Sequence, residues 1–84
     1  AGAAMHEQAL MEEVHRIALA AAAAEGAVRI HGLRLRVGHQ AGVDPDALRF
    51  AFEVVMAGGI AAGASLELEL SAGRELELIG LDVS

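Results

Sequence analysis

From His6 to Glu25 apolar side chains return at helical spacing, through Leu10, Val14, Ile17, Ala21 and Ala24, while Glu12, Glu13 and Arg16 supply a wet side. Ala20 to Ala24 is a run of the strongest helix former, and Gly26 closes it. A first helix is predicted. The period then changes to two. Val28-Arg29-Ile30-His31 carries apolar residues at even positions and Leu33-Arg34-Leu35-Arg36-Val37 at odd ones, the parity changing at Gly32. A bulge at Gly32 would return both halves to one buried face. Ser65-Leu66-Glu67-Leu68-Glu69-Leu70 and Glu75-Leu76-Glu77-Leu78 alternate in the same way, with the short turn Ser71-Ala72-Gly73 between them. A second parity change at Gly80 precedes Leu81 and Val83.

The strongest local signals lie between the first two strands. Asp44 is placed to cap a helix, Pro45 falls at its first position where a missing N–H costs nothing, and Asp46 puts negative charge on the positive end of the dipole. Val43 and Leu48 are spaced as a hydrophobic staple, and Gly58-Gly59 supplies the stop. Leu48, Phe52, Val55, Ala51 and the pair Phe50 and Val54 make an apolar face broad enough to require a sheet beneath it.

The order is therefore α-β-α-β-β, an α/β (α+β) two-layer fold with two helices on one face of a three-stranded mixed sheet and charged residues on the other. The strand–helix–strand unit from Leu33 to Leu70 calls for a right-handed crossover between parallel strands, with the last strand antiparallel. Two strand orders stay open. The short turn favours adjacency of the last two strands, which sets glutamate against glutamate. Placing Arg34 and Arg36 centrally pairs opposite charges, at the risk that so short a link forces a strand exchange between two molecules.

The chain has 84 residues, enough for one small domain with a modest core. Hydrophobic residues make up 55% and aromatic ones 2%, so alanine, leucine and valine must fill that core. A net charge of −6 argues against a nucleic-acid partner. No apolar run reaches membrane-spanning length and no leader pattern opens the chain, which points to a cytoplasmic protein with no membrane partner. Ala1-Gly2-Ala3-Ala4 carries no pattern and precedes a methionine; it is read as an artificial extension, with a single domain over residues 5–84.

No cysteine and no lysine are present, which removes thiolate metal sites, thiol nucleophiles and Schiff-base chemistry together. No phosphate loop, catalytic triad or His-Glu-x-x-His motif appears, and an enzyme is not expected. Metal binding is the chemistry left to His6, His15, His31 and His39. The last three read as surface residues. His6 and His15 stand nine positions apart, half a turn out of phase, and cannot share a metal within one chain. At a natural start on Met5, the α-amine, the His6 amide and the His6 imidazole would close chelate rings suited to square-planar Ni(II) or Cu(II).

Met5-His6-Glu7, Leu33-Arg34-Leu35-Arg36-Val37-Gly38, the stretch from Gly42-Val43-Asp44-Pro45-Asp46 through Leu48-Arg49-Phe50-Ala51-Phe52-Glu53, Gly63-Ala64-Ser65-Leu66-Glu67-Leu68 and Gly73-Arg74-Glu75-Leu76 together closely resemble the HypA/HybF family of nickel metallochaperones. The resemblance runs over almost the whole chain from Met5. It implies Ni(II) held at Met5, His6 and Glu7, with the His6 imidazole, the Met5 amine and the backbone amides of His6 and Glu7 as donors. It also implies transfer of the metal for [NiFe]-hydrogenase maturation, with a GTPase and the hydrogenase large subunit as partners and homodimers, including exchanged ones, among the assemblies. The alternative is an interaction module that docks on those partners without holding metal itself.

The sequence departs from that family in two places. A zinc domain with two Cys-x-x-Cys pairs belongs between the last two strands, and Leu70-Ser71-Ala72-Gly73-Arg74 stands there instead, so no zinc is expected in this form and the junction is placed near residues 71–73. The residues before Met5 would convert its amine into an amide and remove one nitrogen donor.

Overall fold

The computed structural model describes the backbone from Gly2 to Ser84 and side chains from His6 onward; Ala1 and the Met5 side chain fall outside it. Its elements are α1 (Gly2–Ala24), β1 (Ile30–Gly38), α2 (Pro45–Met56), β2 (Ser65–Ser71) and β3 (Leu76–Val83). The sheet order is β2-β1-β3, with β1 parallel to β2 and antiparallel to β3. The arginine strand is thus central. Arg36 faces Glu69 on one side and Glu77 on the other, with N–O distances of 2.8 and 3.7 Å. Arg34 lies 3.4 Å from Glu67.

One chain achieves this order without exchanging a strand. The link from Ser71 to Leu76 crosses two strand spacings, about 9.6 Å, and each residue reaches about 3.3–3.6 Å. It passes over the end of β1, where the Gly38, His39 and Gln40 N–H groups donate to the carbonyls of Glu75, Ser71 and Gly73. A side chain on Gly38 would overlap the Gly73 carbonyl, so the crossing demands glycine there. Both parity changes appear as register shifts. In β1 the extra residue is His31, beside Gly32; in β3 it is Ile79, beside Gly80. Each bulge returns the following leucines to the helix-covered face.

The core runs from Met11, Val14, Ala18 and Ala22 of α1 through Leu33, Leu35 and Val37 of β1 to Leu48, Ala51, Phe52 and Met56 of α2. The buried row of α1 is rotated from the one its apolar residues suggest. Glu7, Met11, Val14, Ala18 and Ala22 face inward, while Ile17 is 42% exposed. A helix this rich in alanine offers several apolar stripes, and the one buried runs from Met11 and Val14 to Ala18 and Ala22. On α2, Phe52 is 5% exposed but Phe50 is 72% exposed, so only one of the two aromatics belongs to the core.

Both helices start at one end of the molecule and finish at the other. The Asp44 N–H, at the start of α2, bonds to a side chain in the first turns of α1. At the opposite end Ala27 follows α1, and the Ile30 N–H donates to the Ile60 carbonyl beyond α2. This parallel arrangement gathers the amino ends of both helices, the β1–α2 loop and the β2–β3 link at one pole, where Met5, His6 and Glu7 lie.

Candidate metal centre at the amino pole

His6 and Glu7 are neighbours in α1, and a helix turns about 100° per residue, so they point to different surroundings. The His6 side chain is exposed. Glu7 is 1% exposed, the one charged side chain in the buried set. Its Oε2 accepts the Asp44 N–H at 2.9 Å, and Asp44 in turn accepts the Asp46 N–H at 3.0 Å as the cap of α2. The second Glu7 oxygen, Oε1, is buried without a partner. A carboxylate at the amino end of α2 meets free N–H groups and the positive end of the helix dipole, which is what offsets the cost of burying it.

The consequence for metal chemistry is specific. Glu7 is spent as a latch between the helices and is not presented to solvent as a carboxylate ligand, whereas the His6 imidazole is free to coordinate. Among the described residues no three His, Cys, Asp or Glu side chains come together as a metal cage. Backbone nitrogen beside His6 is the further donor that the Met5-His6-Glu7 resemblance implies. Because α1 extends back to Gly2, the His6 and Glu7 amides sit within helix, and their use as donors requires the turns before the Glu7 latch to unwind.

Of the remaining histidines, His39 lies in the β1–α2 loop at this same pole, His15 lies farther along α1 and His31 at the start of β1. His15 is half-buried rather than solvent-facing, with Nε2 buried and unpartnered. His31 is exposed and its Nε2 lies 2.7 Å from Ser84 Oγ, tying the end of the chain to β1. His39 is exposed in the loop after β1. The Glu7 latch is the feature the sequence did not disclose; its only trace is an acid at i−4 from Met11, in phase with the buried row.

The family model described as hydrogenase/urease nickel incorporation, metallochaperone, hypA matches residues 5–76. The chain belongs to the HypA family. It is 49% identical over 77% of its length to the hydrogenase maturation factor HypA of Picosynechococcus sp., and 45% identical over 83% to that of Rhizobium leguminosarum bv. viciae. It spans 58% and 62% of the lengths of those relatives. The solution structure of the Ni metallochaperone HypA from Helicobacter pylori superposes with a TM-score of 0.82, covering 92% of this chain and 96% of that one at 12% identity, and so shares the fold of the HypA-family chain described here.

Proposed function

We propose that this chain is the nickel-handling domain of a hydrogenase-maturation factor, a carrier rather than an enzyme, which binds Ni(II) through Met5, His6 and Glu7 and passes it on within a protein complex. The observation that carries the reading is the division of labour at the amino pole. Glu7 fixes the first turns of α1 to the cap of α2, and the adjacent His6 side chain is exposed. The match to the nickel-incorporation family supports nickel as the metal. The donors are the His6 imidazole, the Met5 amine when Met5 is the first residue, and the His6 and Glu7 amides. Nitrogen donors of this kind suit square-planar Ni(II), and a site on a terminus that can unwind suits a metal meant to be released.

In this reading residues 5–84 are the nickel half of the family's architecture, residues 1–4 are an extension, and residues 71–73 mark the place of the absent zinc-binding part. The chain works in the cytoplasm, handing nickel between a GTPase and the hydrogenase large subunit. Calorimetric titration of Ni(II) into the protein beginning at Met5 tests it. One equivalent should bind, and His6→Ala should abolish that binding with the fold intact by circular dichroism. Equal binding by His6→Ala would remove the site from His6, and absence of binding in both proteins would leave a docking module without metal.

A further inference from the structure

We propose that the outer edge of β2 receives an extended segment of a partner protein in which basic and apolar residues alternate. The β1–β2 register, with the His39 N–H donating to the Ser71 carbonyl, turns the backbone groups of Ser65, Glu67, Glu69 and Ser71 toward β1. Those of Leu66, Leu68 and Leu70 therefore face outward. The Leu66 carbonyl is taken by Arg49 Nη1 at 3.1 Å, and the outward groups of Leu68 and Leu70 form the open part of the edge. Unpaired strand edges are templates for another strand.

The side chains along this edge select the occupant. On the open face of the sheet the outermost row is Glu67 and Glu69, acids that a neighbouring strand would meet directly. On the helix side Leu70 is 66% exposed and offers an apolar side chain to a strand laid against this edge. A strand with basic residues toward Glu67 and Glu69 and apolar ones toward Leu70 would repeat the pairing already built at Arg36 and Glu69.

A second copy of this chain does not meet that description. Its basic strand is central, and both outer strands carry acids on the open face, Glu67 and Glu69 on β2 and Glu77 and Asp82 on β3. Edge-to-edge pairing of two copies would set like charges opposite one another. The β3 edge is a poorer template in addition, because the extra residue Ile79 bulges it.

The proposal is independent of nickel and is tested with chelator present. A fluorescein-labelled Val-Arg-Val-Arg-Val peptide and a block-ordered control of the same composition are titrated by anisotropy, with amide exchange read residue by residue. The alternating peptide should bind at least tenfold more tightly than the control, slow exchange at Leu68 and Leu70, and lose at least tenfold in affinity to the Glu67→Gln, Glu69→Gln double variant. Equal binding of both peptides, or protection elsewhere, would overturn the proposal, as would no binding at millimolar peptide. Protection of Leu68 and Leu70 that rises with concentration of the chain alone, together with dimer formation in sedimentation, would assign the edge to a second copy instead.

Discussion

Burying the Glu7 carboxylate costs free energy that its bond to the Asp44 N–H has to offset, since Oε1 finds no partner. A hydrogen bond to a charged acceptor contributes about 1.5–3 kcal/mol, which corresponds to roughly ten- to a hundredfold in an exchange equilibrium. Glu7→Ala should accordingly speed exchange of the Asp44 amide by that factor, measured by nuclear magnetic resonance, while Glu7→Gln, which keeps an acceptor, should change it far less. Equal acceleration in both variants would mean that the carboxylate charge, not the bond, holds the pole together.

Gly38 is the second residue on which the structure turns, for a steric reason. Gly38→Ala drives a methyl into the Gly73 backbone, where nothing flexible can yield, and should displace the β2–β3 link. Gly26 provides the comparison: its φ is +70° but the space around it is open. Gly26→Ala should cost only the left-handed conformation, about 1–2 kcal/mol, or roughly 4–16 °C in Tm at 4–8 °C per kcal/mol for a domain of this size. Gly38→Ala should fall below it in thermal melts.

Among the elements, α2 was almost fully legible, because its signals are local. Asp44, Pro45 and Gly58 act through the backbone beside them, and the helix begins at Pro45 as those residues dictate, with Gly58 in the left-handed conformation. Asp44→Ala should cost about 1 kcal/mol, and Asp44→Asn much less, in urea unfolding. What remained hidden on α2 was which side of its broad apolar face is covered. Phe52→Ala removes a core side chain and should cost about 3–5 kcal/mol, whereas Phe50→Ser should leave the unfolding midpoint nearly unchanged.

Helix α1 shows the limit from the other side. Its existence follows from alanine and from spacing, but its rotation does not, because apolar residues lie around much of its circumference. The row that faces inward is chosen by contacts with α2 and β3 that are distant in sequence. The buried Glu7 belongs to that row, and for the same reason its latch to Asp44 was not legible in the sequence, which offered only the donor types at Met5, His6 and Glu7. The strands were legible down to the bulge predicted at Gly32, which falls on the adjacent His31, and the parity change noted at Gly80 proves to be a second bulge, at Ile79. Their order was not legible, because two electrostatic and geometric arguments opposed each other; the link over Gly38 reconciles them.

At the scale of the molecule, a core of methionine, leucine, valine and alanine side chains with one phenylalanine carries a polar sheet face whose outer rows are acidic. No helix among the described residues is long and apolar enough to cross a membrane. The proposed metal site at the amino pole and the proposed strand site on β2 rest on different chemistries, nitrogen donors in one and backbone hydrogen bonds with acidic flanks in the other. Loss of nickel binding in His6→Ala should leave peptide binding at β2 unaffected, and the Glu67→Gln, Glu69→Gln variant should bind nickel as the parent does.

The central claim is that Met5, His6 and Glu7 bind nickel through backbone nitrogen as well as imidazole. The most direct measurement is the absorption spectrum during Ni(II) titration, at neutral pH, of two proteins that differ only in whether Ala1 to Ala4 precede Met5. The protein beginning at Met5 should take one equivalent and develop a square-planar spectrum, and the extended one should bind weakly or without that spectrum. Identical binding and spectra in the two would contradict a role for the Met5 amine, and absence of binding in both would contradict the claim altogether.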